Sequence, residues 1–253
     1  MTEWVVPLPA GPFVGHRSRV SVLGGLQLFG QGLPIRLTGG SQRLLAVLAL
    51  RGRSSQRMQV AGTLWPEASE DHAFACLRSS LARLLGADRG LLTVSPSDVG
   101  LASHVRVDLH ESRALAHRLL DGAQPTRLAD TAAAVVDALS EELLPGWYDD
   151  WVLFESEDWR QLRLHALEAL ADRLIAARRY GEAAVAAVAA TRVDPLRESA
   201  RAALIRVHLA EHNQSEVLRE FERYRQLLRA ELDIDPTPQL RALLQEVRPV
   251  TPR

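Results

Sequence analysis

Two arginines five positions apart, Arg78 and Arg83, stand among small residues in the stretch 69–85. Phe74, Leu77, Leu81, Leu84 and Leu85 recur there at helical spacing, which predicts an amphipathic helix with one buried face. The opposite face carries Ala75, Cys76, Arg78, Ser79, Ala82 and Arg83. A helix that lies in the DNA major groove needs such a surface: short side chains for close approach and a few donors for base edges or phosphates. Cys76, Arg78, Ser79, Ala82 and Arg83 are therefore the candidate base-facing residues. The same pattern also suits an ordinary amphipathic surface helix, and taken alone it does not choose between the two. Arg43, Arg53, Arg57 and Arg106 are candidates for phosphate contact, each equally at home as a solvated charge.

Other chemistry is poorly represented. The chain has no Walker motif, no GxSxG and no GxGxxG. The one cysteine, Cys76, excludes an internal disulfide and a multi-cysteine zinc site, and nothing near it suggests an activated thiolate. His208 and His212 have the i, i+4 spacing of a metal pair, but no third ligand accompanies them. The expectation is no metal, no cofactor and no enzymatic activity. Trp147, Tyr148, Trp151 and Trp159 are expected to pack where two domains join, with an aromatic ligand or partner pocket as the alternative.

Those residues need a scaffold, and the composition supports one. Of 253 residues, 47% are apolar, enough for a real core. Every basic residue is arginine. The overall charge of −1 hides an asymmetry: residues 1–110 hold 11 arginines against 7 acids, and residues 111–253 hold 19 against 24. A basic first half points to a polyanionic partner. Residues 1–18, with Glu3, Pro7, Pro9 and Pro12, read as a flexible arm and lack the basic-then-apolar order of a signal peptide. No apolar run is long enough to span a bilayer, so a cytoplasmic protein with no membrane partner is expected.

Along the chain, 19–29 and 33–37 read as strands around Gly24-Gly25 and 30–32. Three short helices follow at 41–50, 57–64 and 69–85. Thr38 or Ser41 is the expected cap of the first, Ser54 or Ser55 of the second and Ser69 of the third, with Gly86 closing the third. A hairpin at 91–102 turns at Pro96-Ser97-Asp98. From 107 onward every element reads as helix: 108–120, 126–138, 154–179, 182–191, 195–210, 215–232 and 237–247, with Tyr180-Gly181 as a turn. Tyr180-Gly181-Glu182-Ala183-Ala184 precedes Gln214-Ser215-Glu216-Val217-Leu218 by 34 residues, the period of tetratricopeptide helix pairs. The fold class is mainly α: an N-terminal winged helix-turn-helix (α+β) over 19–107, then an all-α tetratricopeptide-like domain over 108–248 and a tail at 249–253.

The order of elements carries a resemblance. Val22-Leu23-Gly24, 42–48, Leu64-Trp65-Pro66-Glu67, 81–86 and Val107-Asp108-Leu109 resemble the OmpR-type winged helix of antibiotic-regulatory-protein transcriptional activators. The stretches 144–151, 168–172, 194–198, Phe221-Glu222-Arg223-Tyr224 and 232–238 resemble the bacterial transcriptional activation domain that follows it in that family. The resemblance implies binding to double-stranded DNA at promoter direct repeats, often as a homodimer, and recruitment of RNA polymerase, typically at a biosynthetic gene cluster. Glu67 and Glu70 would lie in the polymerase-facing loop, and a protein or small-molecule effector would act at the helical domain. The sequence departs from the pattern: the recognition helix has few basic residues, with Ser79, Ser80 and Ala82 where contact residues are common, and the wing tip carries Asp98. A protein-interaction scaffold with a degenerate winged helix is therefore the alternative.

Overall fold

A computed structural model describes residues 18–121 and 132–246. The arm at 1–17, part of the helix expected at 126–138, and the tail lie outside them. The chain divides into two compact units between His110 and Glu111.

In the first unit a four-stranded sheet has the order β3-β2-β1-β7, from β1 (Ser18–Ser21), β2 (Gln27–Gly30), β3 (Leu33–Ile35) and β7 (Arg106–Val107). Gly30 pairs with Leu33, so Gln31 and Gly32 form a two-residue hairpin loop, and both take positive φ as that loop demands. β1 and β7 pair in parallel, Arg19 opposite Arg106. Ser18, where the sequence still suggested arm, already opens β1.

Three helices follow: α1 (Gly39–Arg51), α2 (Arg57–Leu64) and α3 (Glu70–Ala87). Thr38 and Ser69 occupy the N-cap positions of α1 and α3 without a side-chain cap bond. Neither Ser54 nor Ser55 caps α2. Ser55 and Gln56 instead form a two-residue strand, β4, with Ser55 opposite Val99, and Gln56 takes the cap position. Gly86 does not end α3, which runs on to Ala87 and closes at Asp88 in extended conformation. The wing comprises β5 (Leu92–Val94) and β6 (Asp98–Leu101), and with β4 it forms a second sheet of order β4-β6-β5. Gly100 lets β4 come close, because a Cβ there would sit 3.0 Å from the Ser54 Cα.

The core of this unit is aliphatic. Val20, Leu44, Leu45, Leu48, Val60, Leu64, Leu77, Leu84 and Val99 are buried. Phe74 and Leu85 are only half-buried, and Ala73 and Ser80 complete the inner face of α3. Ser80 is 3% exposed because α1 crosses there at a glycine: a Cβ on Gly40 would meet the Ser80 hydroxyl at 2.8 Å. Ser80 is thus a packing residue.

Asp108 locks β1 in place. Its buried carboxylate accepts from the Ser21 hydroxyl, from Val22 N–H at 2.9 Å, from Leu23 N–H at 3.2 Å and from Leu109 N–H at 2.7 Å. Val22 and Leu23 lie just past the ladder, where their donors have no strand partner in the β1–β2 register.

The second unit is helical. α4 (Asp108–Leu120) crosses the division, and α5 (Ala132–Ser140), α6 (Asp150–Ala176), α7 (Tyr180–Val193), α8 (Glu198–Ala210), α9 (Gln214–Leu232) and α10 (Pro238–Leu243) follow, with a 3₁₀ turn at Leu244–Glu246. α6 begins four residues before the expected start and ends three early. Tyr180 and Gly181 open α7 instead of forming the turn. α8 starts at Glu198, three residues after Pro195, because 194–197 form a turn with Arg197 N–H on the Asp194 carbonyl. α6 packs on α7, α7 on α8 and α8 on α9.

The 34-residue period is written in the backbone. Arg178 and His212 both take left-handed conformations, at φ 59° and 56°. Arg179 donates to the Leu174 carbonyl as Asn213 does to that of His208, both at 2.9 Å. α7 and α9 then start 34 residues apart. Pairs of this kind bury their faces by stacking on neighbours. Tyr224 is 1% exposed and donates its hydroxyl to the Leu196 carbonyl at 2.9 Å. Trp159 is buried, with its indole N–H on the Glu141 carbonyl at 3.0 Å. Trp147 and Trp151 meet edge to face at 6.2 Å, whereas Tyr148 is exposed. His212 is a turn residue and His208 pairs with Glu211 at 3.5 Å. Among the described residues no group of three His, Cys, Asp or Glu is placed to hold a metal. No helix there is long and apolar enough to cross a membrane.

Candidate nucleic-acid interface

α3 is held by α1 and α2 through its inner face, which leaves one continuous face outward. Ala75, Arg78, Ser79, Ala82 and Arg83 are exposed on it. At about 1.5 Å and 100° per residue, Arg78 and Arg83 stand about 7.5 Å apart along the axis and about 140° apart around it. They flank a spine of Ala75, Ser79 and Ala82, none longer than a hydroxymethyl group. Cys76 lies at the edge of this face, half-buried, its sulfur 3.6 Å from His72 Nε2.

The ends of α3 differ in charge. Glu70 and Asp71 occupy the first turn, where the helix dipole favours acids. Glu67 and Glu70 are both exposed around the turn from α2 to α3. Asp88 ends α3, accepting from Gly90 N–H at 2.9 Å and from the Ser18 hydroxyl at 2.5 Å.

The wing turn is closed by its own side-chain hydrogen bonds. Asp98 N–H donates to the Ser95 hydroxyl at 2.9 Å, and the Ser97 hydroxyl donates to the Asp98 carboxylate at 2.5 Å. Arg57 braces it from α2, with its backbone N–H on the Ser97 carbonyl at 2.8 Å and its guanidinium on the Ser95 carbonyl at 3.4 Å. Arg53 is exposed between Gly52 and β4, while Arg43 on α1 is half-buried. Arg106 is half-buried in β7, paired with β1 in the four-stranded sheet and not in the wing sheet. Residues 106–107 are too short a run to read as a strand when the partner is 87 positions away.

Sequence reasoning passed over Arg51. It donates to the Thr63 hydroxyl at 2.8 Å, joining α1 to α2, and burial and then Arg53 push its guanidinium below its ordinary value. The Arg51–Thr63 bond ties α1 to α2, and the Arg57 brace ties α2 to the wing turn. No periodic signal marks either contact.

Residues 106–248 match the family described as bacterial transcriptional activator domain. The chain belongs to that family. Its architecture is the antibiotic-regulatory-protein type, a winged helix followed by the activator domain. Regulatory protein AfsR of Streptomyces griseus is 28% identical over 254 residues, covering 94% of this chain and 25% of that protein. Regulatory protein AfsR of Streptomyces coelicolor is 30% identical over 247 residues, covering 92% and 24%. The chain thus spans about a quarter of the length of these relatives. Mycobacterium tuberculosis EmbR, solved in complex with a low affinity phosphopeptide, shares the fold with a TM-score of 0.66 and 24% identity, over 92% of this chain and 65% of that one. Membership of the activator-domain family places the chain among transcriptional regulators.

Proposed function

We propose that the first unit binds promoter DNA, with α3 in the major groove and the β5–β6 wing at the adjacent minor groove, and that the chain activates transcription as a non-enzymatic, cytoplasmic regulator. The observation that carries this reading is the outward face of α3: a spine of small residues between two exposed arginines, on a helix whose other side is fixed by α1 and α2. Small residues permit backbone approach to base edges, and arginines on either flank reach guanine edges or the two phosphate walls. Arg53 supplies a further phosphate contact. Glu67 and Glu70 face RNA polymerase from the α2–α3 turn. Direct repeats would be read by two copies of the chain, and a biosynthetic gene cluster is the natural target of a regulator of this type.

The scaffold reading, in which the helical unit binds a protein and the winged helix is vestigial, draws on one observation: Glu70 and Asp71 place negative charge at the leading end of α3. Titration of the full chain against promoter fragments flanking its gene, from 50 to 200 mM salt, separates the two. The DNA reading expects saturable binding that Arg78→Ala and Arg83→Ala each weaken by about 1–3 kcal/mol for a base contact, or that loses about 0.9 from the log–log salt slope for a phosphate contact. No binding to any fragment at low salt would overturn the DNA reading and favour the scaffold reading instead.

A further inference from the structure

The helical unit holds a groove of about 550 Å³ between α5 and α7, floored by α6. That volume lies within the range that takes drug-sized ligands. Its walls are Val136 from α5 and Ala184, Val185 and Val188 from α7, and Val185 is 53% exposed. At its floor stands Arg163, which is only 4% exposed. One guanidinium nitrogen donates to the Ser140 carbonyl at 2.8 Å, but Nε is buried and has no hydrogen-bond partner. Among the described residues no carboxylate makes an ion pair with it.

A buried charge of this kind is costly unless a partner meets it. Burial pushes the Arg163 guanidinium below its ordinary value, and Glu142 opposes that shift from a distance. Asp137, Glu142 and Arg192 also line the groove, but all three are exposed at its rim, where water screens them. The inner part therefore combines an apolar wall with a guanidinium that no carboxylate among the described residues pairs. A cationic ligand would be repelled there, and a sugar would leave its hydroxyls against valine.

We propose that this groove binds a small organic anion, a carboxylate carried on an apolar body, with the carboxylate meeting the Arg163 guanidinium where it lines the groove and the apolar body lying along Val136, Val185 and Val188. The site is independent of the DNA-binding reading. It offers the helical unit a direct response to an acidic metabolite.

The test uses the full chain without DNA, so its outcome is separate from that of the promoter titration. The probe is 8-anilinonaphthalene-1-sulfonate fluorescence, with octanoate, 1-octanol and octyltrimethylammonium as competitors. The expected result is saturable probe binding displaced by octanoate, with the alcohol and the cation weaker by about tenfold or more, the worth of a charge-assisted hydrogen bond. Arg163→Met should abolish the preference for octanoate over octanol. Its fold should survive, because it replaces a buried charge by an apolar group of similar length. Val188→Trp, which fills the groove and leaves Arg163 in place, should block the probe. The proposal is overturned if wild type shows no saturable probe binding, if octanol competes as well as octanoate, if Arg163→Met keeps the preference, or if Val188→Trp binds unchanged.

Discussion

Asp108 is where the winged helix can be loosened without touching the outward face of α3. One carboxylate oxygen takes the Val22 and Leu109 amides at 2.9 and 2.7 Å, and the other takes the Ser21 hydroxyl and the Leu23 amide. Asp108→Asn keeps one acceptor oxygen. Its amide nitrogen then faces the Leu23 N–H, while Ser21 can rotate and accept. One buried amide is stranded, at about 1–3 kcal/mol. Asp108→Ala strands the Val22, Leu23 and Leu109 amides together, so its cost is about three times that. For a unit of this size each kcal/mol lowers the midpoint by about 4–8 °C. Because the chain has two units, a single melting curve would mix two transitions, so calorimetry should be read together with amide exchange at Val22 and Leu23. The expected order is wild type, Asn, Ala, with exchange accelerating first at those two amides. If Asn and Ala were equal and both within about 0.5 kcal/mol of wild type, the claim that this carboxylate fastens β1 would be wrong.

Other expectations follow from the same geometry. Leu77→Ala, at a fully buried position on the inner face of α3, should cost about 3 kcal/mol in denaturant unfolding and abolish promoter binding with it. Burial pushes the Tyr224 hydroxyl up to about 12, so its stabilisation is complete below the ordinary value of 10 and fades as pH rises towards 12. Alkaline unfolding followed at 295 nm should show a tyrosine ionising near 12, and Tyr224→Phe should remove that part of the pH dependence at a cost of about 1 kcal/mol. The Glu157 carboxyl, held by Arg160 and Gln161, sits at about 2, so its contribution is present above the ordinary value near 4.5 and is lost as pH falls towards 2. Its side-chain carbon resonance should titrate with that midpoint, and Arg160→Gln should return it to the ordinary range. An unchanged midpoint would disprove the assignment.

How much of this was legible in the sequence depended on how local the determining force is. The bounds of α2 and the span of α4 can be read from Arg57, Pro66 and Asp108, because turns and prolines act on their own neighbours. Gly86 misled because a glycine can be carried inside a helix when the residues around it hold the turn; the stop lies at Asp88. Tyr180-Gly181 misled likewise, since the reversal is made by Arg178, a left-handed arginine that no composition rule would choose. β4 and β7, two residues each, exist only through distant partners. In the candidate interface, the exposure of Arg78, Ser79, Ala82 and Arg83 was readable from helical spacing. The bracing of Arg57, the burial of Ser80 and the half-burial of Arg43 and Arg106 were not, because each depends on tertiary neighbours. Arg163 did leave a sign: four residues from Trp159 and Leu167 and seven from Leu170, it falls on the apolar face of α6, where an arginine is out of place.

The matched reversals at Arg178 and His212 bear on how such a protein can be lengthened. Each is closed by main-chain donors and carbonyls, so it places few demands on the side chains that occupy it. A duplicated 34-residue segment spliced in after either reversal would meet the same stacking surfaces as its template. The helical unit could therefore gain reach by tandem copying, one hairpin at a time, without redesign of the first unit.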